Sequence, residues 1–185
     1  VLWSHFTQGK AQSLELPDDF EILLSKAGIE WFEPTESRYK ILSILPGQDM
    51  AAYQLRIHSK KENLEIRYAI FPEDTTQHIM RNPHVLTMRM VATAATNEET
   101  HIVSGQTLSS VNLSLDFNAD WGMSYFFTPK ERFSSQPHAR LVALYKEGRG
   151  TAIIYFLFKN ANNEALDNRY YSLKFSDDSP QNPDR

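Results

Sequence analysis

The stretch 139–160, "ARLVALYKEGRGTAIIYFLFKN", constrains the fold of this chain more than any other. Two apolar runs rich in β-branched and aromatic residues flank "KEGRG", a turn with two glycines, and that pattern is a β-hairpin. In "IIYFLF" the apolar residues are consecutive rather than alternate, so both faces of the second strand need cover. Such a strand belongs in the middle of a sheet, with other elements packed above and below it.

A second hairpin lies upstream, where "AAYQLRIHS" and "LEIRYAIFPE" alternate around the polar turn "KKEN". Alternation puts Tyr53, Leu55 and Ile57 on one face, and Leu64, Ile66, Tyr68 and Ile70 on one face of the partner strand. "YKILSILPGQ" reads as a neighbouring strand ended by Pro46-Gly47. "RNPHVLTMRMVATAATN" carries helix signals: Asn82 as a cap, Pro83 at the first position, Val85, Met88, Val91, Ala92 and Ala95 at helical spacing, and an end near Asn97.

Other segments are less determinate. "FEILLSKA" is either a short helix capped by Asp18 or Asp19 and stopped at Gly28, or a strand. "THIVSGQTLSSVNLSLDF" is a connector or a second short helix, and "GMSYFFTPKERF" reads as a strand. "NNEALDNRYYSLKF" places Ala165, Leu166, Tyr170 and Leu173 on one helical face. The blocks give an α+β class, a central antiparallel sheet with helices packed on it, in a single domain over 1–185. Residues 1–13 are expected to be an arm that docks through Trp3 and Phe6, and 176–185 a disordered polar tail.

Composition narrows function by exclusion. A net charge of -4 and a pI near 5.9 offer nucleic acid no basic footprint. The chain has no cysteine, which removes disulfides, thiolate nucleophiles and Cys-ligated zinc. No apolar run approaches the roughly 18 residues a membrane span needs. The sequence begins at Val1 rather than Met, and a removed export signal is one explanation; the expectation is an exported or periplasmic protein, with a cytoplasmic one as the alternative.

Tests for catalytic and metal motifs fail. "DFNADWG" places Asp116, Asn118 and Asp120 as the first, third and fifth ligands of an EF-hand loop, but Trp121 takes the glycine position and Phe127 the closing glutamate position. It therefore reads as an Asx-rich turn into a strand, with no metal and no cofactor expected. The six histidines form no HExxH or HxH pair. Ser104 in "VSGQT" lacks the first glycine of GxSxG. No glycine-rich phosphate loop is present, and Arg149 in "EGRG" reads as a solvated turn residue. Glu33 and Glu36, beside Trp31 and Phe32, would suit the acid–base pair of a hydrolase or carbohydrate-active cleft.

The order of elements, from "DDFEILLSKAGIEWFEP" through both hairpins to the closing "YYSLKF", resembles the PsbP/Mog-like family over about Phe20 to Phe175. In that family the last helix runs into an apolar-Ser-apolar-x-Phe stretch, where Ser172, Leu173 and Phe175 fall here. The resemblance implies an antiparallel sheet between helices and a role as a binding or assembly factor; it carries over no functional residue.

The functional expectation is a non-enzymatic binding or assembly module that offers aromatic side chains to a protein partner. The high aromatic share points to residues 116–126: Trp121 with Met123, Tyr125 and Phe126, rimmed by Asp116 and Asp120. Alternation places at least one face of that strand in the core, and Trp121 is the residue least bound by it. The alternative is the hydrolase with Glu33 and Glu36 as its acid–base pair.

Overall fold

The computed structural model describes residues 13–34, 37–45, 53–74, 82–98 and 101–177. In chain order its elements are α1 (Asp18–Ala27), β1 (Ile29–Trp31), β2 (Lys40–Ile41), β3 (Leu55–Ser59), β4 (Leu64–Pro72), α2 (Pro83–Ala94), β5 (Ser104–Thr107), α3 (Ser110–Asn112), β6 (Trp121–Phe127), β7 (His138–Lys146), β8 (Gly150–Phe158), α4 (Ala165–Arg169) and β9 (Leu173–Phe175). A π-helical turn, Leu113–Phe117, continues α3. Seven strands form an antiparallel sheet in the order β2-β3-β4-β8-β7-β6-β5, and β1 pairs with β9 apart from it.

Strand β8 is the centre of this sheet, and all nine of its residues are buried. Ile154, Phe156 and Phe158 meet Phe20 and Leu24 of α1 on one face, together with Leu166 and Tyr170 around α4. Ile153, Tyr155 and Leu157 meet Leu86, Met90 and Val91 of α2 on the other. The continuous run "IIYFLF" is thus satisfied as its pattern demands. Full burial of each large apolar side chain is worth about 1.5–3 kcal/mol, so this strand accounts for a large share of folding free energy.

Both hairpins form where expected, with Leu55 opposite Tyr68 and Tyr145 opposite Thr151 among their pairs. Tyr53 departs from expectation. It lies with the α2 face, its ring edge-on to Phe133, whereas Leu55 and Ile57 face α1. The chain bends at Gln54, before the strand starts, so alternation does not extend back to Tyr53.

Helix α1 settles the ambiguity of "FEILLSKA". Pro17 rather than Asp18 or Asp19 is its N-cap, and the two acids fill the first turn, where the helix dipole favours them. Gly28 closes it in the left-handed region at φ 57°, its N–H reaching Ser25 O at 3.1 Å. A side chain at Gly28 would collide with Arg149, which is buried beneath it and not solvated as the turn sequence implies.

In α2, Asn82 accepts from the His84 and Val85 amides and Pro83 is the first helical residue, as expected. The buried face differs: Leu86, Thr87, Met90, Val91 and Ala94 point inward, while Val85 and Met88 are 44% and 53% exposed. The helix is apolar nearly all round, so two stripes compete, and the one carrying Leu86 and Met90 docks on the sheet. The expected closing helix shrinks to α4, because Leu173 enters β9 opposite Trp31. The 1–13 arm lies outside the described residues except for Ser13; of the expected tail, Ser176 and Asp177 are hydrogen bonded to Gly28 and Asn118, and the rest lies outside them.

One polar cluster is built into the α2 face. Arg67, 1% exposed, lies between the rings of Tyr53 and Phe133 at 4.7 and 4.6 Å and donates to Glu65 Oε1 at 2.6 Å and Phe133 O at 2.8 Å. Arg56 adds a bidentate pair to the same carboxylate at 2.7 and 2.8 Å. Burial alone raises the Glu65 carboxyl, but the Arg56 hydrogen bonds and the Arg67 charge outweigh it and hold the group below its ordinary value of 4.5. A depressed carboxyl contributes stability above its unfolded-state value and loses it as pH falls through the folded value. Glu65→Gln is therefore expected to cost about 3–5 kcal/mol at neutral pH, by stranding two cations. Urea unfolding should show that penalty shrinking below about pH 4; a penalty independent of pH would contradict the account.

Candidate functional site

In the turn "DFNADWG", Asn118 and Asp120 are hydrogen bonded to other parts of the protein. Asn118 sits in the left-handed region at φ 49°, and its amide donates to Phe175 O at 3.0 Å and Asp177 Oδ1 at 2.9 Å. Its backbone and side-chain oxygens both accept from Lys146 Nζ at 2.8 Å. Asp120 Oδ2 accepts from the Glu147 amide at 2.8 Å, while Asp116 lies half-buried in the π-helical turn. Among the described residues no three acidic or imidazole side chains group as metal ligands. The turn fastens β6 to the β7–β8 hairpin and to the end of β9.

The expected aromatic set is divided by the sheet. Trp121, Met123 and Tyr125 are half-buried on the α2 side, where the Trp121 ring lies 4.4 Å from the His84 ring and the Tyr125 hydroxyl reaches Met88 Sδ at 3.7 Å. Tyr125 also lies across β5 at Gly105, where a Cβ would come within 2.6 Å of its ring. Phe126 is on the opposite face and 39% exposed. Trp121 packs against His84 at the start of α2 and is half-buried, as is Asp116, while Asp120 is exposed.

Glu33 uses both carboxylate oxygens to hold the chain before α1, accepting from Ser13 Oγ and the Leu14 amide at 2.8 Å each. Glu36 lies outside the described residues. Trp31 is turned inward, edge-on to Tyr68.

A different constellation stands where Phe126 points. Arg140 of β7 sends its guanidinium between the rings of Tyr170 and Phe126, 4.3 and 4.9 Å from their centroids. Its Nε donates to Ser124 Oγ at 2.9 Å, and Ser124 is fully buried. Arg140 makes no salt bridge with any described residue. Tyr170 is held from behind by Phe156 and Phe117, and its hydroxyl is buried. Burial raises that hydroxyl above its ordinary value; Arg140 and Ser124 oppose the rise.

Arg140 and Tyr170 open into a cleft of about 420 Å³. Gln106, Thr107 and Ser109 line one side, Asp167 and the 45% exposed Tyr171 the other. The cleft lies between β5 with the start of α3 on one side and the end of α4 on the other. Chemically it holds one delocalised cation, one carboxylate, Asp167, that makes no salt bridge with that cation, aromatic walls and several uncharged hydrogen-bonding groups. That set suits a planar anion such as a carboxylate, which a guanidinium grips with two parallel N–H bonds.

Sequence reasoning missed this site. Arg140 and Tyr170 are 30 positions apart and belong to different elements. The signal was there in weak form, since Arg140 is a charge set inside the apolar strand "ARLVALY", where a cation needs a reason. No protein-family model, curated protein or solved structure matches the chain.

Because Trp121 packs beneath α2, Trp121→Ala is expected to destabilise the protein by about 2 kcal/mol or more in urea unfolding. A loss under about 0.5 kcal/mol, the usual range of a free surface residue, would return the ring to the exposed set.

Proposed function

We propose that the protein is a non-enzymatic binding or assembly module that captures an anionic group of a partner protein in the Arg140 cleft. The single observation that carries this reading is a half-buried guanidinium, clamped by two rings and paired with no acid among the described residues. A charge held in that way is costly unless a partner meets it, and the open cleft leaves room for one. An antiparallel sheet with helices on both faces accords with the resemblance to PsbP/Mog-like proteins, which implies a binding or assembly role. The aromatic contribution moves from Trp121 to Phe126, Tyr170 and Tyr171. The hydrolase alternative gains no supporting observation, because Glu33 is engaged by Ser13 and Leu14.

The test is an NMR titration of isotope-labelled protein with N-acetylglutamate, using N-acetylglutamine as the uncharged control. The acid should give saturable shifts at the Arg140 Nε–H and the Gln106 and Thr107 amides, and the amide control should not. Arg140→Gln should weaken binding about tenfold or more, the loss of one charge-assisted hydrogen bond or two. Arg140→Lys, which keeps charge but not the fork, should recover little of it. Equal response to acid and amide would remove the anion-binding reading.

A further inference from the structure

We propose that the β5 edge of the sheet, together with the Arg140 cleft, takes an extended, glutamate-bearing segment of a partner protein by strand addition; this rests on the binding role proposed above. The two ends of the sheet differ. At one end β2 is two residues long and begins with Lys40, features that discourage pairing. At the other, β5 is "SGQT", uncharged, free of proline and exposed at all four positions. Among the described residues it pairs only with β6.

Which backbone groups are open follows from the register. Leu108 N donates to Gly122 O at 3.1 Å, and Ser104 and Gln106 stand opposite Phe126 and Ser124. Antiparallel pairs alternate between bonded and non-bonded, so Ser104, Gln106 and Leu108 bond to β6, and Gly105 and Thr107 turn their N–H and C=O groups outward. Two residues of an edge strand thus present donors and acceptors at the right spacing for another strand.

The chemistry of the occupant is set by what lies on the cleft face. An added strand would run about three strand spacings, roughly 14 Å, from β7. The Arg140 side chain covers part of that gap over Phe126 and Ser124, and a glutamate opposite Gln106 covers the rest better than the shorter aspartate. Side chains two apart on a strand share a face, so in an antiparallel strand the second residue after that glutamate faces Ser104. There Ile102, Phe126, His138 and Phe158 line a second cleft of about 260 Å³, which suits an apolar side chain. The recognised pattern is therefore Glu-x-apolar in an extended segment. Charge complementarity selects this occupant over a second copy of the chain, whose own β5 carries no acid to offer Arg140.

The experiment is selection of phage-displayed random dodecapeptides on the full chain, followed by affinities of the synthetic peptides for three variants. Thr107→Pro deletes an outward N–H without touching the β6 ladder, and proline is tolerated at such an edge position. Thr107→Val keeps the N–H and loses only the hydroxyl. Expected are Glu-x-apolar peptides whose affinity falls about tenfold or more with Thr107→Pro and with Arg140→Gln, and less than about twofold with Thr107→Val. If Thr107→Pro does not fold, peptides N-methylated at alternate amides should show the same loss on the unaltered protein. Binding that needs Arg140 but ignores both backbone changes overturns strand addition and leaves the cleft reading standing. Binding that needs the edge but not Arg140 overturns both, as does failure to enrich any peptide. A β5-paired dimer that Thr107→Pro converts to monomer would make a second copy the occupant and overturn the partner assignment.

Discussion

The two-sided burial of β8 is the constraint on which the rest of this structure depends. A strand with Ile153, Tyr155 and Leu157 on one face and Ile154, Phe156 and Phe158 on the other can be stable only if both faces are covered and both edges paired. That requirement places β4 and β7 beside it, α1 and α4 above it and α2 below it. The charge buried on the α2 face is paired. Arg67 enters the α2 face because Glu65 and the Phe133 carbonyl take its N–H groups and two rings stack on its plane.

The groups of the proposed site collect at one end of the sheet. Beside β6 and β5 the Arg140 cation has rings for walls and, among the described residues, no acid within salt-bridge distance. Arg67 and Arg140 make the contrast concrete. Both guanidiniums lie between two aromatic rings, yet one is bonded to a carboxylate and buried, while the other is half-buried and bonded only to a hydroxyl. Satisfied charge belongs to the scaffold, and the charge without an acid partner among the described residues is the one assigned to the proposed site.

Legibility in the sequence followed the strength of local patterns. The central hairpin was readable because "IIYFLF" has no polar position to place in water, and the α2 cap because Asn82 and Pro83 act through backbone geometry that needs no tertiary context. The buried stripe of α2 was not, since Val85 and Met88 are as apolar as Leu86 and Met90 and only docking chooses between them. Strand β5 was missed because an exposed edge strand carries no alternation to detect. Ser172 and Leu173 read as a continuing helix because β9 is defined by its pairing with β1, a contact between the two ends of the chain. The site was the least legible feature. Trp121 drew attention by residue type, while Phe126, five positions on and facing the other way, joins Arg140 through the fold alone.

The central claim is that the sheet is closed at its middle and open at β5, and residue-resolved hydrogen exchange of the free protein tests it most directly. Amides of β8 should exchange slowest, near the rate set by global unfolding, and within β5 the Gln106 amide should exchange at least about tenfold more slowly than those of Gly105 and Thr107. Protection of Gly105 and Thr107 equal to that of Gln106 would mean that the chain already covers this edge, and would contradict the account.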